Sequence, residues 1–494
     1  MSLRPDPLRP HAPTGSTAPA RSSGSTAPHQ QTPPPEAQPP AGSTTTEAPR
    51  SGDRPATSIR PAGRGPAVAG DVGRAIAGGS HQDKDWAVST LATVLGWVLL
   101  TLSCYPSLVT KEGGEQFKFD AWVYHQALTH WWQGGELYHW WAFPKDQLYP
   151  FTYPPFAAWL LSPIVLAESQ AAQVLLTLAT PVCTALTVLL LARTLQLPER
   201  WLGVVTPWGA LAACLLLEPF SKTIEYGQVN VILLLLVAVD LLALRPGGAL
   251  ARLAPARGAL CGLAAAIKLT PAIAVLVLLV RREWRAAVVM SLTAAAATGL
   301  GALLSPAESW EFFTQAMLDP TRAGDAEYAG NQNLRALLVR LVPAAVERPL
   351  WGLSVVAAVV AAYLLARRLE RLRERECPEE LVLLTQTCVV MTLGLLVSPI
   401  SWSHHWVWGL PTLAALGALA WRLRSQALLG TAICGLTLLV MAMHWWLPEH
   451  EHVEMTWPLW AKVTGSSYTL WALAAGVVLW TQLRETPEAD PQGA

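Results

Sequence analysis

The sequence predicts an all-α protein that crosses a membrane many times, and the composition carries most of this prediction. Of the 494 residues, 52% are hydrophobic and only 14% are charged, whereas soluble chains carry about 25% charged residues. Short charged segments separate long apolar runs, and a membrane helix needs a run of roughly 20 residues. An ordinary soluble enzyme and a wholly disordered chain are thereby excluded. Lys and Arg together number 35, as do Asp and Glu, so no basic surface is available for nucleic acid.

Three regions are predicted along the chain. Residues 1–85 are rich in Pro, Ser, Thr and Ala and show no apolar periodicity. They cannot form a core, so we expect a disordered cytoplasmic tail that acts as a tether, or that binds a partner through its PxxP-like spacing. It has no secretory signal, since no apolar h-region lies near its start. Residues 86–485 form the multi-span domain, and 486–494 form a cytoplasmic C-terminal tail.

Apolar runs of suitable length follow one another through the multi-span domain, and about 11 to 13 transmembrane segments are expected. A shorter run, 155–167, begins at Pro154-Pro155 and contains Pro163, which favours a re-entrant or interfacial segment. The candidate spans are 88–107, 170–192, 202–218, 228–244, 258–280, 285–304, 350–366, 381–397, 404–421, 427–447 and 467–483.

The placement of Lys and Arg predicts the orientation, because loops on the cytoplasmic side carry an excess of both. With the N-terminal tail inside, nearly every basic cluster falls inside, provided that 155–167 does not cross. The run 258–280 must then be a hairpin, with Lys268 near its tip. The clusters are Arg193 with Arg200, Arg245 to Arg257, Arg281 to Arg285, Arg367 to Arg375, and Arg422 with Arg424 and Arg484. The unusual polar clusters then converge on the extracytoplasmic face.

The first outer loop contains a candidate base. Asp120 follows an aromatic stretch soon after the first span, and a carboxylate there could accept a proton from a hydroxyl. The alternative is a solvated loop charge. Four tryptophans in the same loop could stack on sugar rings, or form an interfacial aromatic belt. They are Trp131, Trp132, Trp140 and Trp141.

Candidate ligands for a polar substrate lie at the outer mouths of two later runs. Gln228 and Asn230 are neutral amides suited to hydroxyls or phosphates, although a capping role at a helix start explains them equally well. Lys268 stands in an otherwise apolar stretch. A lysine there is costly, which makes it a functional candidate that could neutralise a phosphate, unless it only snorkels to the interface.

His404 and His405 begin another apolar run and could bind phosphate or move a proton. A metal site would need further ligands, and the segment HEHVE at 450–454 supplies none that convinces. The seven cysteines show no CxxC and no paired spacing. We therefore expect neither a metal nor a cofactor.

The ordered set of motifs resembles glycosyltransferase family 87, the polyprenol-phosphate-mannose-dependent α-mannosyltransferases of the GT-C superfamily. The resemblance covers about 86–485, and no single motif is specific. The motifs are D-x-x-x-Y at Asp120 and Tyr124, G-x-x-L-Y ending at Tyr138, Y-P-P at Tyr153, G-Q-x-N at 227–230, K-x-x-P at Lys268, N-Q-N at Asn331, Gln332 and Asn333, and S-P-x-S-W-x-H-H ending at His404 and His405.

The resemblance implies a GT-C-type fold in the plasma membrane, with an extracytoplasmic active site. The donor is a polyprenyl-phosphate sugar and the acceptor is a lipid or glycan. Asp120 matches the family's essential aspartate, the general base, and the β-linked donor gives an α-product by inversion. Lys268 or a histidine of the 404–405 pair then stabilises the leaving phosphate. Substrate binding is assigned to the matching polar motif residues, namely Tyr124, Tyr153, Gln228, Asn230, Lys268, Asn331, Gln332 and Asn333.

Two other readings of the sequence remain open. Another sugar, such as arabinofuranose, would use the same chemistry. A lipid-glycan flippase or transporter would be expected to show internal repeats and polar residues spread through its spans. A purely structural membrane subunit does not explain why Asp120, Lys268, Gln228 and His404 fall on one side.

Overall fold

The computed structural model describes residues 88–103, 118–375 and 377–483. The predicted tails at 1–85 and 486–494 lie outside these residues. In the first half of the described chain the helices are α1 (Val88–Ser103), α2 (Phe119–Trp132), α3 (Pro155–Leu161), α4 (Ser169–Thr194), α5 (Glu199–Leu216), α6 (Glu218–Tyr226), α7 (Asn230–Ala238), α8 (Ala259–Ile267) and α9 (Val275–Val280).

The second half is also helical. It contains α10 (Trp284–Leu304), α11 (Pro306–Thr314), α12 (Leu334–Leu341), α13 (Ala344–Leu369), α14 (Glu379–Val397), α15 (Gly409–Leu423), α16 (Gln426–Met441), α17 (Leu459–Thr464) and α18 (Ser467–Gln482). A short antiparallel hairpin, β1 (Trp141–Phe143) with β2 (Leu148–Pro150), interrupts the helices in the first loop. The prediction of an all-α polytopic membrane protein is confirmed, and this hairpin is the addition to it.

Four helices of the described residues are long and apolar enough to cross a membrane: Ser169–Thr194, Trp284–Leu304, Ala344–Arg373 and Glu379–Val397. A fifth candidate is α5 with α6, which are bent by 77° at Leu217. Other predicted spans coincide with shorter apolar helices, including Val88–Ser103, Asn230–Ala243 and Gln426–Met441. The count of 11 to 13 segments stays a prediction.

Helix α14 lies at the centre, since its apolar window is 78% buried against 17% for that of α13. The exposed leucines and valines of α10 and α13 give these helices the apolar outer surface expected of lipid-facing helices. Small residues allow close packing inside the bundle. A side chain at Gly262 of α8 would lie 2.4 Å from the carbonyl oxygen of Met290 in α10, so only glycine permits this contact.

The two ends of the bundle differ in chemistry. Arg281 contacts Glu379, the first residue of α14, at 2.6 Å, and Arg245 contacts Glu380 at 2.6 Å. The other end of α14 leads through Ser398 to the polar segment 401–405. With 19 residues in α14, the two ends are separated by about 28 Å, at about 1.5 Å per residue.

Candidate active site

Asp120 lies in the first turn of α2, where a carboxylate is favoured by the helix dipole. Its Oδ2 accepts a hydrogen bond of 2.6 Å from Nε2 of Gln228. Burial raises the pKa of Asp120 to about 6, while the Gln228 hydrogen bond and the charge of Lys268 act in the opposite direction. The carboxylate is therefore ionised at neutral pH and more basic than an ordinary aspartate, which suits a general base.

Gly227 brings Gln228 to Asp120. It ends α6 in the left-handed conformation with φ of 70°, a region that L-residues with a side chain rarely adopt. A Cβ atom at this position would lie 2.6 Å from the Cβ atom of Ala121. The glycine of the G-Q-x-N motif is thus needed twice, for the turn between α6 and α7 and for the close approach of that turn to α2.

Two tyrosines extend the network around Asp120. Tyr124 lies one helical turn after Asp120, and its hydroxyl is 3.0 Å from that of Tyr153. The Tyr153 hydroxyl also donates to Oε1 of Gln228 at 3.2 Å. Burial raises the pKa of both phenols, so they remain neutral hydrogen-bonding groups. Tyr138 of the G-x-x-L-Y motif fixes this arrangement, since its hydroxyl donates to the Tyr153 carbonyl oxygen at 2.8 Å.

Lys268 joins the second amide of the motif to the histidine pair. Its Nζ donates to Oδ1 of Asn230 at 3.1 Å and lies 3.1 Å from Nε2 of His405. The same ammonium is 5.5 Å from the ring centroid of Tyr153. Lys268 follows the end of α8 directly, so the 258–280 run is interrupted at this residue, whereas the hairpin itself stays a prediction. A cavity of about 40 Å³ opens between Asn230, Lys268 and His405.

The two histidines lie in one short 3-10 segment, Ser403–Trp408, with their ring centroids 4.8 Å apart in an edge-to-face contact, but they have different partners. His405 contacts Lys268, whereas the ring of His404 packs against Tyr226 with centroids 5.2 Å apart. The His404 carbonyl oxygen accepts from Nδ2 of Asn230 at 3.1 Å. Within the described chain, the buried Nε2 of His404 has no hydrogen-bond partner. His404 is therefore fixed by its backbone and has an unused ring nitrogen.

The N-Q-N triplet, residues 331–333, contacts the chain just before the histidine segment. Oδ1 of Asn331 accepts a hydrogen bond of 2.9 Å from the backbone N–H of Ser401. The backbone N–H of Gln332 donates to the Ser401 carbonyl oxygen at 2.8 Å. Asn333 caps α12 through the Ala336 amide at 2.7 Å. All three side chains are fully buried and bind protein groups. These contacts favour a positioning role for the triplet, whose assignment to substrate binding stays a prediction.

Glu218, the first residue of α6, is a buried charged residue that was not predicted from the sequence. Its buried carboxylate accepts from Ser403 Oγ at 2.6 Å, Trp445 Nε1 at 2.8 Å and the Tyr468 hydroxyl at 3.0 Å. Nε2 of the fully buried His444 lies 3.9 Å away. A carboxylate directly after a long apolar run was the available signal. Through Ser403, Glu218 holds the residue next to His404.

Two other groups that the sequence brought into question lie outside this network. Trp131 and Trp132 pack against Trp159 with centroids 5.3 and 5.5 Å away, so these two tryptophans serve loop packing. His452, from the segment 450–454, gathers with Asp325 and Glu327, with one ligand atom of each within 4.8 Å of the others. His452 Nδ1 lies 2.5 Å from Oε1 of Glu327, and the two form an ion pair when the histidine is protonated.

Five separate segments thus form one connected site, from Asp120 through Gln228 and Tyr153 to Asn230, Lys268 and His405. It combines an anchored carboxylate, a cation and neutral hydrogen-bonding groups. Such a set can take a proton from a hydroxyl and stabilise a departing phosphate.

Comparison with known proteins agrees with this chemistry. Residues 151–399 match the model of "Glycosyltransferase family 87". A "Polyprenol-phosphate-mannose-dependent alpha-(1-2)-phosphatidylinositol mannoside mannosyltransferase" of Mycobacterium tuberculosis (strain ATCC 25618 / H37Rv) is 35% identical over 398 residues, covering 76% of this chain and 88% of the relative. Its namesake from Mycolicibacterium smegmatis (strain ATCC 700084 / mc(2)155) is also 35% identical, over 410 residues, covering 79% and 87%.

A pentamannoside mannosyltransferase of the same Mycolicibacterium smegmatis strain is 33% identical over 299 residues, covering 59% of this chain and 67% of the relative. No solved structure matches the chain. The family match and the extent of the 35% identical relatives agree with each other and with the motifs. The chain therefore belongs to glycosyltransferase family 87.

Proposed function

We propose that this chain transfers a mannosyl unit from polyprenyl phosphate mannose to a hydroxyl of a phosphatidylinositol mannoside, with Asp120 as the general base. The observation that carries the proposal is the 2.6 Å contact between Gln228 and a carboxylate whose pKa is raised to about 6. Membership of family 87 and the names of the two relatives at 35% identity support the donor and the acceptor class.

In the proposed reaction the acceptor hydroxyl oxygen attacks the anomeric carbon while Asp120 takes its proton. The bond between that carbon and the phosphate oxygen breaks, and its electron pair leaves with the lipid phosphate. Attack opposite the leaving group converts a β-linked donor into an α-linked product. The departing phosphate is a weak base, so it requires charge stabilisation more than a proton.

In the proposed reaction Lys268 supplies that stabilisation. Its ammonium is held by Asn230 and His405 and borders the small cavity at the site. A buried ammonium near a developing phosphate charge acts without reorganisation at the moment of reaction. His405 orients Lys268, while the unused ring nitrogen of His404 is a second group for the phosphate or the sugar. Tyr124 and Tyr153 hold Gln228 and thereby the carboxylate.

The proposed site faces the extracytoplasmic side of the plasma membrane. Supporting this orientation, the end of α14 away from the site contacts Arg281, and basic residues favour the cytoplasmic side. Single cysteines at Asp146 and Arg282 test it with a membrane-impermeant maleimide on intact cells, with the unsubstituted chain as background. Labelling at 146 alone is expected before permeabilisation, and labelling at 282 alone would reverse the orientation.

The activity test uses membranes containing the chain, radiolabelled polyprenyl phosphate mannose and phosphatidylinositol mannosides. Asp120→Asn preserves the shape and the acceptor for Gln228 but removes the base, so transfer should fall by about 10²- to 10⁴-fold. Asp146→Asn, an exposed aspartate in the hairpin turn, is the matched control and should retain transfer. Full activity of Asp120→Asn would refute its role, and no transfer by the folded wild-type chain would refute the substrate assignment.

A further inference from the structure

We propose that a pocket lined by arginines, at the end of the bundle away from Asp120, binds the phosphate headgroup of an anionic phospholipid. The pocket measures about 500 Å³, within the size range of about 300–1,000 Å³ that is usual for ligand sites. We call it the arginine pocket. The residues that matter for this argument are Arg281, Arg282, Arg367, Arg368, Arg371 and Trp480.

The base of the arginine pocket is already neutralised by protein carboxylates. The Arg281 side chain, 7% exposed, contacts Glu283, Glu370 and Glu379 at 2.9, 3.2 and 2.6 Å. Glu370, the carboxylate that lines the pocket, also accepts from Gln386 at 2.7 Å and from Arg373 at 3.2 Å. Glu370 is therefore occupied by three protein donors, Arg281, Arg373 and Gln386.

The rim of the arginine pocket carries surplus positive charge. Arg282 stands at the end of α9 in the left-handed conformation, with φ of 58° and an exposed side chain. Arg367 is exposed on α13. Among the residues that the structure describes, neither Arg282 nor Arg367 has an ion-pair partner. Both guanidinium groups line the same pocket, so a phosphate bound there would form charge-assisted hydrogen bonds with them.

Arg368 gives the arginine pocket a fixed wall. Its Nε donates to the Leu483 carbonyl oxygen at 2.8 Å, and its guanidinium lies 4.6 Å from the ring centroid of Trp480. The planar guanidinium is thereby held in place before any ligand binds. Arginine forks pair with phosphate oxygens in a bidentate manner, and an oriented fork loses less entropy on binding.

The surroundings select a lipid as the source of the phosphate. Leu364 is 47% exposed beside the pocket, and Trp480 has the amphipathic ring that is frequent at membrane interfaces. Basic pockets between helices at a membrane surface are typical sites for anionic headgroups. A basic residue that only sets orientation needs no cavity, whereas here several arginines and a tryptophan share one.

The test measures thermal unfolding of the purified full-length chain in neutral detergent. Dioctanoyl phosphatidylglycerol is the probe, with dioctanoyl phosphatidylcholine and inorganic phosphate at equal concentration for comparison. A ligand that binds only the folded state raises the melting temperature, and phosphatidylglycerol should raise it most. Phosphatidylglycerol is not the proposed sugar acceptor, and the readout needs no transfer, so failure of this proposal is distinguishable from failure of the proposed function.

The double variant Arg282→Gln, Arg367→Gln should lose most of the shift. Arg200→Gln with Arg424→Gln removes the same charge from exposed positions outside the pocket and should keep it. If the double variant is not folded, the single Arg282→Gln is compared in the same way. An equal shift in pocket and control variants, an equal shift with inorganic phosphate, or no shift in the wild type would each overturn the proposal.

Discussion

Replacing Gln228 by leucine tests how the structure tunes the proposed base. The substitution keeps the size of the side chain and removes the 2.6 Å hydrogen bond to Asp120. A hydrogen bond to a charged group contributes about 1.5–3 kcal/mol, and one pKa unit corresponds to about 1.36 kcal/mol. The pKa of Asp120, about 6 in the wild type, should therefore rise to about 7 to 8.

The direction of the pH effect follows from the role of a base. Asp120 acts only when deprotonated, so transfer rises with pH through its pKa. At pH 7 about 90% of the carboxylate is ionised in the wild type and about 10–50% in the variant. Transfer by Gln228→Leu at pH 7 should fall by about two- to nine-fold on this account, and the acid limb of its pH profile should move up by about one to two pH units.

The assay is the initial rate of mannose transfer from pH 5 to pH 9.5 at subsaturating donor. Loss of the acceptor for the Tyr153 hydroxyl lowers the rate equally at every pH, so only the midpoint of the acid limb reports on Asp120. Gln126→Leu is the matched control on α2, because that amide lies 3.5 Å from His125 and bonds to no site residue. A midpoint in Gln228→Leu equal to that of the wild type would refute the reasoning.

Three further predictions concern residues that hold the site in position without belonging to its proposed catalytic groups. Gly227→Ala should lower transfer at least about tenfold, because the new Cβ would lie 2.6 Å from the Cβ of Ala121 and the backbone φ is positive. Gly417, where a Cβ would meet open space, is the control, and equal transfer by the two alanine variants would contradict the packing argument. Arg340→Met should destabilise the fold by about 3 kcal/mol or more, because four backbone carbonyl oxygens lose a buried donor: those of Glu327, Tyr328, Asn331 and Gly465. The melting temperature measures the loss, with the exposed Arg348→Met as control, and similar values for both variants would show that the buried contacts contribute little. Glu218→Gln should cost about 1–3 kcal/mol, because one of the two oxygens that accept from Ser403, Trp445 and Tyr468 is replaced by an amide donor. Melting and transfer unchanged relative to the exposed Glu225→Gln would show that Glu218 does not position the site.

The helices were the part of the fold that the sequence predicted well. The apolar runs 285–304 and 381–397 became Trp284–Leu304 and Glu379–Val397, because in lipid an apolar run can satisfy its backbone only as a helix or in a closed barrel. The interruption of the 258–280 run near Lys268 could also be predicted, because Pro271 cannot continue a helix. The bend between α5 and α6 and the hairpin β1–β2 were not predicted, because three-residue strands leave almost no periodic signal.

The site was predictable as a set of residues but not as a geometry. Asp120, Gln228, Asn230, Lys268 and His405 were all selected from the sequence. Hydrogen bonds join Asp120 to Gln228, and Lys268 to both Asn230 and His405. The different contacts of the two histidines could not be predicted, because they depend on the short 3-10 segment. In that segment His404 is held through its backbone carbonyl oxygen, whereas the ring of His405 contacts Lys268. The contacts of the N-Q-N side chains could not be read from the sequence, since buried and substrate-facing amides look the same there.

The sequence by itself determined the membrane class, the helical segments and the identity of the polar side chains, because these depend on composition and local periodicity. Only the tertiary structure decided which polar groups meet. Gln228 reaches Asp120 across 108 positions and Glu218 reaches Tyr468 across 250, and such contacts arise from how helices pack. The arginine pocket has the same origin, because α9, α13 and α18 contribute to it from distant parts of the chain. Local sequence specifies the elements, whereas the burial of their faces against one another specifies the sites.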